Sequence, residues 1–126
     1  MTNSFRFLDW EVYSDAQDLV GEVLHIVRKL PADLRFSLGG QLARSVFSIV
    51  LNIAEGSGRS GDREPNRFLD TALGSTYETL AGLDFLRREK YITQEKFKEI
   101  SGRLESIARQ LGGFKRKFRV AGPKVE

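Results

Sequence analysis

The sequence has no cysteine, a single histidine and no apolar segment long enough to cross a membrane. The absence of cysteine excludes disulfide bonds and thiolate metal sites. His25 alone cannot supply the two Glu-x-x-His pairs of a carboxylate-bridged di-metal centre. A bilayer span needs about 20 consecutive apolar residues. We therefore expect a soluble protein with no metal site, no other cofactor and no membrane partner.

Signatures of catalysis are also missing. The turn from Gly56 to Arg59 reads Gly-Ser-Gly-Arg, whereas a phosphate-binding loop requires Gly-Lys-Ser/Thr after a strand. His25 lies beside the main apolar stripe of its helix, as surface histidines do. Glu95 and Glu99 are typical of solvated helix charges. The sequence thus predicts a protein that is not an enzyme and has no catalytic residues.

We expect residues 1–126 to form one domain in the cytoplasm. A chain of 126 residues is long enough for a single hydrophobic core. Its N-terminus lacks the charged segment followed by an apolar segment that a secretory signal requires. The absence of cysteine fits a cytosolic location.

Positive charge is concentrated near the C-terminus. Residues 1–108 hold 14 Lys and Arg against 16 Asp and Glu, a balance of −2, and residues 109–126 hold 6 against 1, a balance of +5. A local cluster of this kind creates a potential that the net charge of +3 does not describe.

Apolar residues recur at steps of three and four in four successive segments, and no segment alternates like a strand. The pattern predicts helices at about 10–30, 38–55, 62–90 and 94–118, with a basic tail over 115–126. Short connections between helices of this length favour an all-α, antiparallel up-down-up-down four-helix bundle.

Individual residues define the ends and faces of these helices. Pro31 stops the first helix, because it lacks an amide donor, and Thr93 is the expected cap of the fourth. The fourth helix carries a heptad seam, formed by Phe97, Ile100, Leu104, Ile107, Leu111, Phe114 and Phe118.

A thin polar line crosses the otherwise apolar second helix. Its members, spaced to share one helical face, are Gln41, Ser45, Ser48, Asn52 and Glu55, and the third helix has a counterpart in Thr71, Ser75 and Glu78. We expect Asn52 and Glu55 to meet Ser75 and the amides near Gly56, and Arg44 or Arg59 to neutralise Glu78. These groups either fix helix register or a subunit contact, or they contact a ligand or nucleic acid.

The basic residues are the better candidates for function. Those predicted to bind nucleic acid are Arg109, Lys115, Arg116, Lys117 and Arg119 of the fourth helix, with Arg87 and Arg88 at the end of the third. Cations also favour helix C-termini, which alone would explain Arg87 and Arg88. This preference explains the five cations of the fourth helix less well, since they have no nearby acid in the sequence. Base stacking on Phe114 and Phe118 is not expected, because both fit the core seam.

Four segments resemble the hallmarks of a family of bacterial four-helix-bundle proteins. They are Gln41 to Ser45, Ser48 to Arg59, Arg67 to Leu69 and Ala72 to Glu78, and the resemblance extends from Trp10 to about Phe118. The matching motif positions are Gln41, Arg44, Ser48, Asn52, Glu55, Gly56, Gly58, Arg59, Phe68, Gly74, Ser75 and Glu78. The family includes proteins encoded in intervening sequences of large-subunit ribosomal RNA genes and the accessory variability determinant of diversity-generating retroelements.

The resemblance implies a homo-oligomer, a pentameric barrel in known members, with a basic surface that binds nucleic acid. In the retroelement branch the partner is a reverse transcriptase. Two departures matter. Ala43 precedes Arg44 where the family often has two consecutive basic residues, which weakens helix two as a nucleic-acid contact. Val50 and Leu51 replace a frequent proline, so a straighter helix is expected.

Together these features predict a non-enzymatic, homo-oligomeric four-helix bundle that binds the RNA or DNA backbone through basic surface residues. The alternative is an accessory subunit that docks on a protein such as a reverse transcriptase and has little nucleic-acid affinity of its own.

Overall fold

Four long helices dominate the computed structural model, which describes residues 5–58 and 64–121, with backbone alone at 64–66 and 117–121. They are α1 (Glu11–Arg28), α2 (Leu38–Ser57), α3 (Glu64–Arg88) and α4 (Gln94–Ala121). A 3-10 turn (Arg6–Asp9) precedes α1, and a one-turn helix (Ala32–Arg35) lies in the predicted first loop. No strand occurs within the described ranges, so the all-α prediction is confirmed.

The observed helix ends lie within three residues of the predicted ones. α3 ends at Arg88 rather than 90, and its predicted start at 62 lies outside the described residues. The first part of the predicted basic tail, residues 115–121, belongs to α4 and does not form a separate segment. Residues 122–126 lie outside the described part of the chain.

Neighbouring helices run antiparallel, as predicted. In two helix pairs, α2 with α3 and α1 with α4, the contacts show this direction. As the residue number rises along one helix, the number of the contacting residue falls along the other. These contacts are Ser45–Thr79 and Ser48–Ser75 for the first pair, and Glu22–Arg103 and Asp15–Gln110 for the second. The ends of α1 and α3 therefore lie at the same end of the bundle as the starts of α2 and α4.

The core follows the predicted apolar faces. Fully buried side chains include Leu19 and Val23 of α1, Ile49 and Ile53 of α2, Leu69 and Leu83 of α3, and Ile100, Leu104, Ile107 and Leu111 of α4. Phe114 closes the α4 seam by stacking on Trp10, with ring centroids 4.8 Å apart. The side chain of Phe118 lies outside what the structure describes.

The described helices include none with the combination of length and apolar composition that a bilayer span requires.

Helix α2 enters the bundle at a glycine. A Cβ at Gly39 would lie 2.8 Å from Val27 Cγ1 and 3.4 Å from the Leu34 carbonyl oxygen. The first contact is shorter than real Cβ contacts, and the stiff β-branched Val27 cannot move easily. Gly39 therefore permits α2 to pack closely against the end of α1.

We expect Gly39→Ala to lower the free energy of unfolding by roughly 1–3 kcal/mol through overpacking. The matched control is Gly102→Ala, in an exposed part of α4 where no atom lies within 4 Å of the added Cβ. It should gain about 0.5–1 kcal/mol in helix propensity. Urea unfolding of both variants measures the difference, and equal stabilities would contradict the close approach.

Candidate nucleic-acid interface

An open groove lies at the end of the bundle where α1 and α3 end and α4 begins. Its volume is about 860 Å³. Its wall is formed by His25, Ile26, Lys29, Arg87, Arg88, Lys90, Tyr91, Ile92, Thr93, Gln94 and Lys96. Five of these residues are Lys or Arg and none is Asp or Glu. We call this feature the basic groove.

Three cations of the basic groove have no acidic partner in the described part of the chain. No described carboxylate lies within 4.0 Å of Lys29, Arg88 or Lys90, and all three are exposed. They therefore form a positively charged surface that is available to an anionic ligand.

The other two cations of the groove are already engaged. Arg87 donates to Asp84 Oδ1 from Nη2 at 2.6 Å and from Nε at 3.0 Å. Its guanidinium also lies 5.2 Å from the centroid of the Phe97 ring. Lys96 Nζ is 3.6 Å from Glu99 and 4.0 Å from Glu22. Arg87 and Lys96 thus contribute more to the packing of the groove wall than to its free charge.

Helix dipoles account for part of this arrangement. The partial charge of about −0.5 at a helix C-terminus attracts cations within the last turn. Arg87 and Arg88 lie in the last turn of α3, and Lys29 is the C-cap of α1. An exposed cation at a helix end keeps its full charge, so these side chains stabilise the helix ends and also give the groove its positive charge.

The turn after α3 holds Lys90 in a left-handed conformation, with φ of 67°. The Tyr91 amide donates to the Leu86 carbonyl at 2.8 Å and the Lys90 amide to the Arg87 carbonyl at 3.0 Å. This pair of bonds is the Schellman motif, which normally places glycine at the left-handed position. A lysine at this position costs stability, and strained positions of this kind cluster at functional sites. Thr93 then caps α4, as predicted, by accepting from the Lys96 amide at 3.0 Å.

The structure separates the predicted nucleic-acid residues into two groups. Arg87 and Arg88 lie in the basic groove, whereas Arg109, Lys115 and Arg116 lie along the C-terminal half of α4. Lys96 and Lys115 are 19 residues apart on this helix, which corresponds to about 28 Å at 1.5 Å per residue. One compact site cannot include both groups.

Two of the α4 cations have acidic partners that the sequence analysis did not anticipate. Lys115, one-quarter exposed, forms an ion pair with Asp70 of α3. Arg109 is 3.9 Å from Glu105, one turn earlier on the same helix. Arg116 is exposed, and the side chains of Lys117 and Arg119 lie outside what the structure describes.

The family-motif residues lie elsewhere, on the seam between α2 and α3. Two pairs of hydroxyl oxygens cross this seam, Ser45 with Thr79 and Ser48 with Ser75, each 2.8 Å apart. Asn52 Nδ2 donates to the Ser48 hydroxyl at 3.0 Å, and the Ser48 hydroxyl shares a hydrogen bond with Ser75. The sequence analysis expected Asn52 to contact Ser75 directly. The structure instead connects the two residues through Ser48.

At the start of the seam, Gln41 connects the charged groups. Its amide nitrogen donates to Glu78 at 3.3 Å, and its amide oxygen accepts from Arg44 at 3.2 Å. Arg44 was expected to neutralise Glu78 directly, but the observed partner is Gln41, which lies between them. The other predicted partner, Arg59, lies outside the described residues.

The remaining motif residues lie near the far end of the seam. Gly56 is buried in the last turn of α2, Gly58 is its C-cap, and Glu55 is exposed. Phe68 is half-buried, with the Arg67 guanidinium 5.0 Å from its ring centroid. Gly74 is exposed and has no atom within 4 Å of an added Cβ. Phe68 and Gly74 precede the groove residue Arg87 by 19 and 13 residues on α3, which corresponds to about 28 and 20 Å at 1.5 Å per residue.

The sequence analysis did not predict that Lys29, Lys90, Tyr91 and Lys96 line one groove. The predicted topology could have indicated it, because an antiparallel bundle brings the ends of helices one and three to the start of helix four. Within the described residues, no group of three or more His, Asp or Glu is arranged to hold a metal ion.

Comparison with known proteins supports the family resemblance. The model of the 23S rRNA-intervening sequence protein family matches residues 8–113. The crystal structure of a protein of unknown function from the S23 ribosomal protein family of Bacteroides thetaiotaomicron is 25% identical in sequence, with a TM-score of 0.74. The match covers 82% of this chain and 97% of that one. A search of the curated proteins found no match.

We expect Lys90→Gly to raise the free energy of unfolding by about 1 kcal/mol, because glycine adopts the left-handed conformation without steric cost. Lys90→Gln removes the same charge but keeps the side chain at the strained position, so it should not gain stability. Urea midpoints of the two variants separate backbone strain from charge. If both variants match the wild type, strain at Lys90 is not a stability cost.

Proposed function

The chain belongs to the 23S rRNA-intervening sequence protein family, and we propose that it is a cytoplasmic, non-enzymatic protein that binds RNA through the phosphate backbone. The observation that carries this proposal is the convergence of Lys29, Arg88 and Lys90 on one groove, without acidic partners among the described residues. Lysine and arginine contacts to phosphate release counterions, which supplies most of the affinity in sequence-independent binding.

The groove is also positioned to receive an extended polyanion. It is open to solvent, at the tip of the bundle, and built from the ends of rigid helices. Arg87 is held by two hydrogen bonds to Asp84, so this part of the groove wall is preorganised. A preorganised wall lowers the entropic cost of binding.

The C-terminal half of α4 is a second electrostatic contact in this proposal. Arg116 extends the basic surface there, and Lys117 and Arg119 follow in the sequence. The ion pairs of Lys115 with Asp70 and Arg109 with Glu105 reduce the net charge that these cations offer to a phosphate. We therefore assign the larger part of RNA affinity to the basic groove.

We further propose that the protein is a homo-oligomer, with a pentamer as the state that the family resemblance implies. Two large apolar side chains on the outer face of α2 support this: Phe47 is 49% exposed and Leu51 is 53% exposed. They lie one turn apart and form a continuous apolar surface that a second copy would cover. The alternative role, docking on a reverse transcriptase, stays a prediction.

Salt dependence tests RNA binding by the groove. Changing Lys29, Arg88 and Lys90 together to Gln should lower the slope of log K against log salt concentration by about 2, since each phosphate contact on a single strand contributes about 0.7. The matched variant changes Arg109, Lys115 and Arg116 to Gln, which removes the same charge from α4. We expect its slope to change by less than 1.

Fluorescence anisotropy with labelled RNA at several salt concentrations gives these slopes. A larger effect of the α4 variant would place the main contact on α4 and contradict the groove assignment. If the wild-type protein does not retain RNA at low salt, the proposed function is wrong.

The oligomer has a separate test. Phe47→Glu with Leu51→Glu should lower the mass measured by light scattering, because charge on a buried contact surface opposes association. Helicity by circular dichroism should persist, since both side chains lie outside the monomer core. Ser14→Glu with Gln17→Glu adds the same charge to the exposed face of α1 and should leave the mass unchanged. A wild-type monomer would contradict self-association.

A further inference from the structure

An exposed tyrosine forms part of the wall of the basic groove. Tyr91 is 44% exposed, and it lines the groove together with Lys29, Arg88 and Lys90. This large aromatic ring is nearly half exposed, so it contributes little to the core, and the described residues provide no acidic partner for the three cations beside it. This combination of an aromatic face and positive charge matches a ligand that is both planar and anionic.

The backbone fixes this arrangement. The Tyr91 amide bonds to the Leu86 carbonyl at 2.8 Å, and the left-handed Lys90 precedes it. Tyr91 is therefore held at the end of α3 by the Schellman turn and is not on a long loop. Two residues later, Thr93 caps α4, which fixes the other side of the turn. The backbone that carries Tyr91 therefore needs little ordering when a ligand binds.

The size and shape of the groove favour an unpaired nucleotide. A volume of about 860 Å³ lies in the range of sites that enclose small molecules, about 300–1,000 Å³. In a duplex the bases are stacked inside the helix and their faces are not available to a protein side chain. Single strands expose these faces, and aromatic residues in positively charged grooves stack on them with little sequence preference.

We propose that the basic groove binds single-stranded RNA, with Tyr91 stacking on one base while Lys29, Arg88 and Lys90 contact the flanking phosphates. This inference rests on the proposed function, because it requires that the protein binds RNA. Beyond the proposed function, it specifies that the RNA is single-stranded and that Tyr91 provides this selectivity. Stacking on Phe114 was not expected from the sequence, and its ring stacks on Trp10; Tyr91 provides a different aromatic surface.

The test compares a labelled 12-nucleotide single-stranded RNA with the same strand in a duplex, by anisotropy at one low salt concentration. Tyr91→Leu should weaken single-strand binding by about 5- to 150-fold, the range found when a stacking aromatic is removed. It should leave duplex binding and the salt slope unchanged, because no charge is lost. Tyr91→Phe keeps the ring and should bind like the wild type.

Tyr77→Leu is the matched control. Tyr77 is an exposed tyrosine of α3 that lines a different cavity together with Arg109, and its loss should not affect single-strand binding. An abasic RNA of the same length gives a readout specific to stacking: wild type and Tyr91→Leu should bind it equally, since it has no base to stack.

The outcomes separate this inference from the proposed function. If Tyr91→Leu binds single-stranded RNA as tightly as the wild type, the stacking role is wrong, although the groove cations can still bind phosphate. A duplex that binds as tightly as the single strand would also overturn it. Absence of binding to either RNA at low salt would overturn both the inference and the proposed function.

Discussion

The close packing of α2 against α3 through paired hydroxyl groups is the constraint on which the bundle depends. Ser45 and Thr79, and Ser48 and Ser75, meet across this seam at 2.8 Å. Buried hydroxyl groups are costly without partners, and a shift of one residue along either helix would separate both pairs. The seam therefore favours one register, and Asn52 supports it by donating to Ser48.

A fixed antiparallel register has a consequence at the tip of the bundle. It brings the ends of α1 and α3 beside the start of α4, so residues more than 60 positions apart, Lys29 and Lys90, line one groove. The cations at this tip have no acidic partner among the described residues, apart from Arg87 and Lys96. The seam thus contributes to the positions of the helix ends that form the groove.

Much of the fold could be predicted from the sequence, because the heptad seam of α4 and the stripe of α1 are local patterns. Polar partners were harder to predict. Thr79 pairs with Ser45 and Asp70 pairs with Lys115, and both pairs depend on the packing of two helices. The basic groove was missed for the same reason: no single segment contains it. Its charge becomes visible only when three helix ends are placed together.

The central claim is that RNA contacts the tip of the bundle formed by the end of α1 and the turn between α3 and α4. Photo-crosslinking of the wild-type protein to a 4-thiouridine-containing single-stranded RNA, with the modified peptides identified by mass spectrometry, tests it most directly. The account predicts crosslinks in the segment 88–96, with Tyr91 as the main adduct. Crosslinks confined to residues 109–121 of α4 would contradict it.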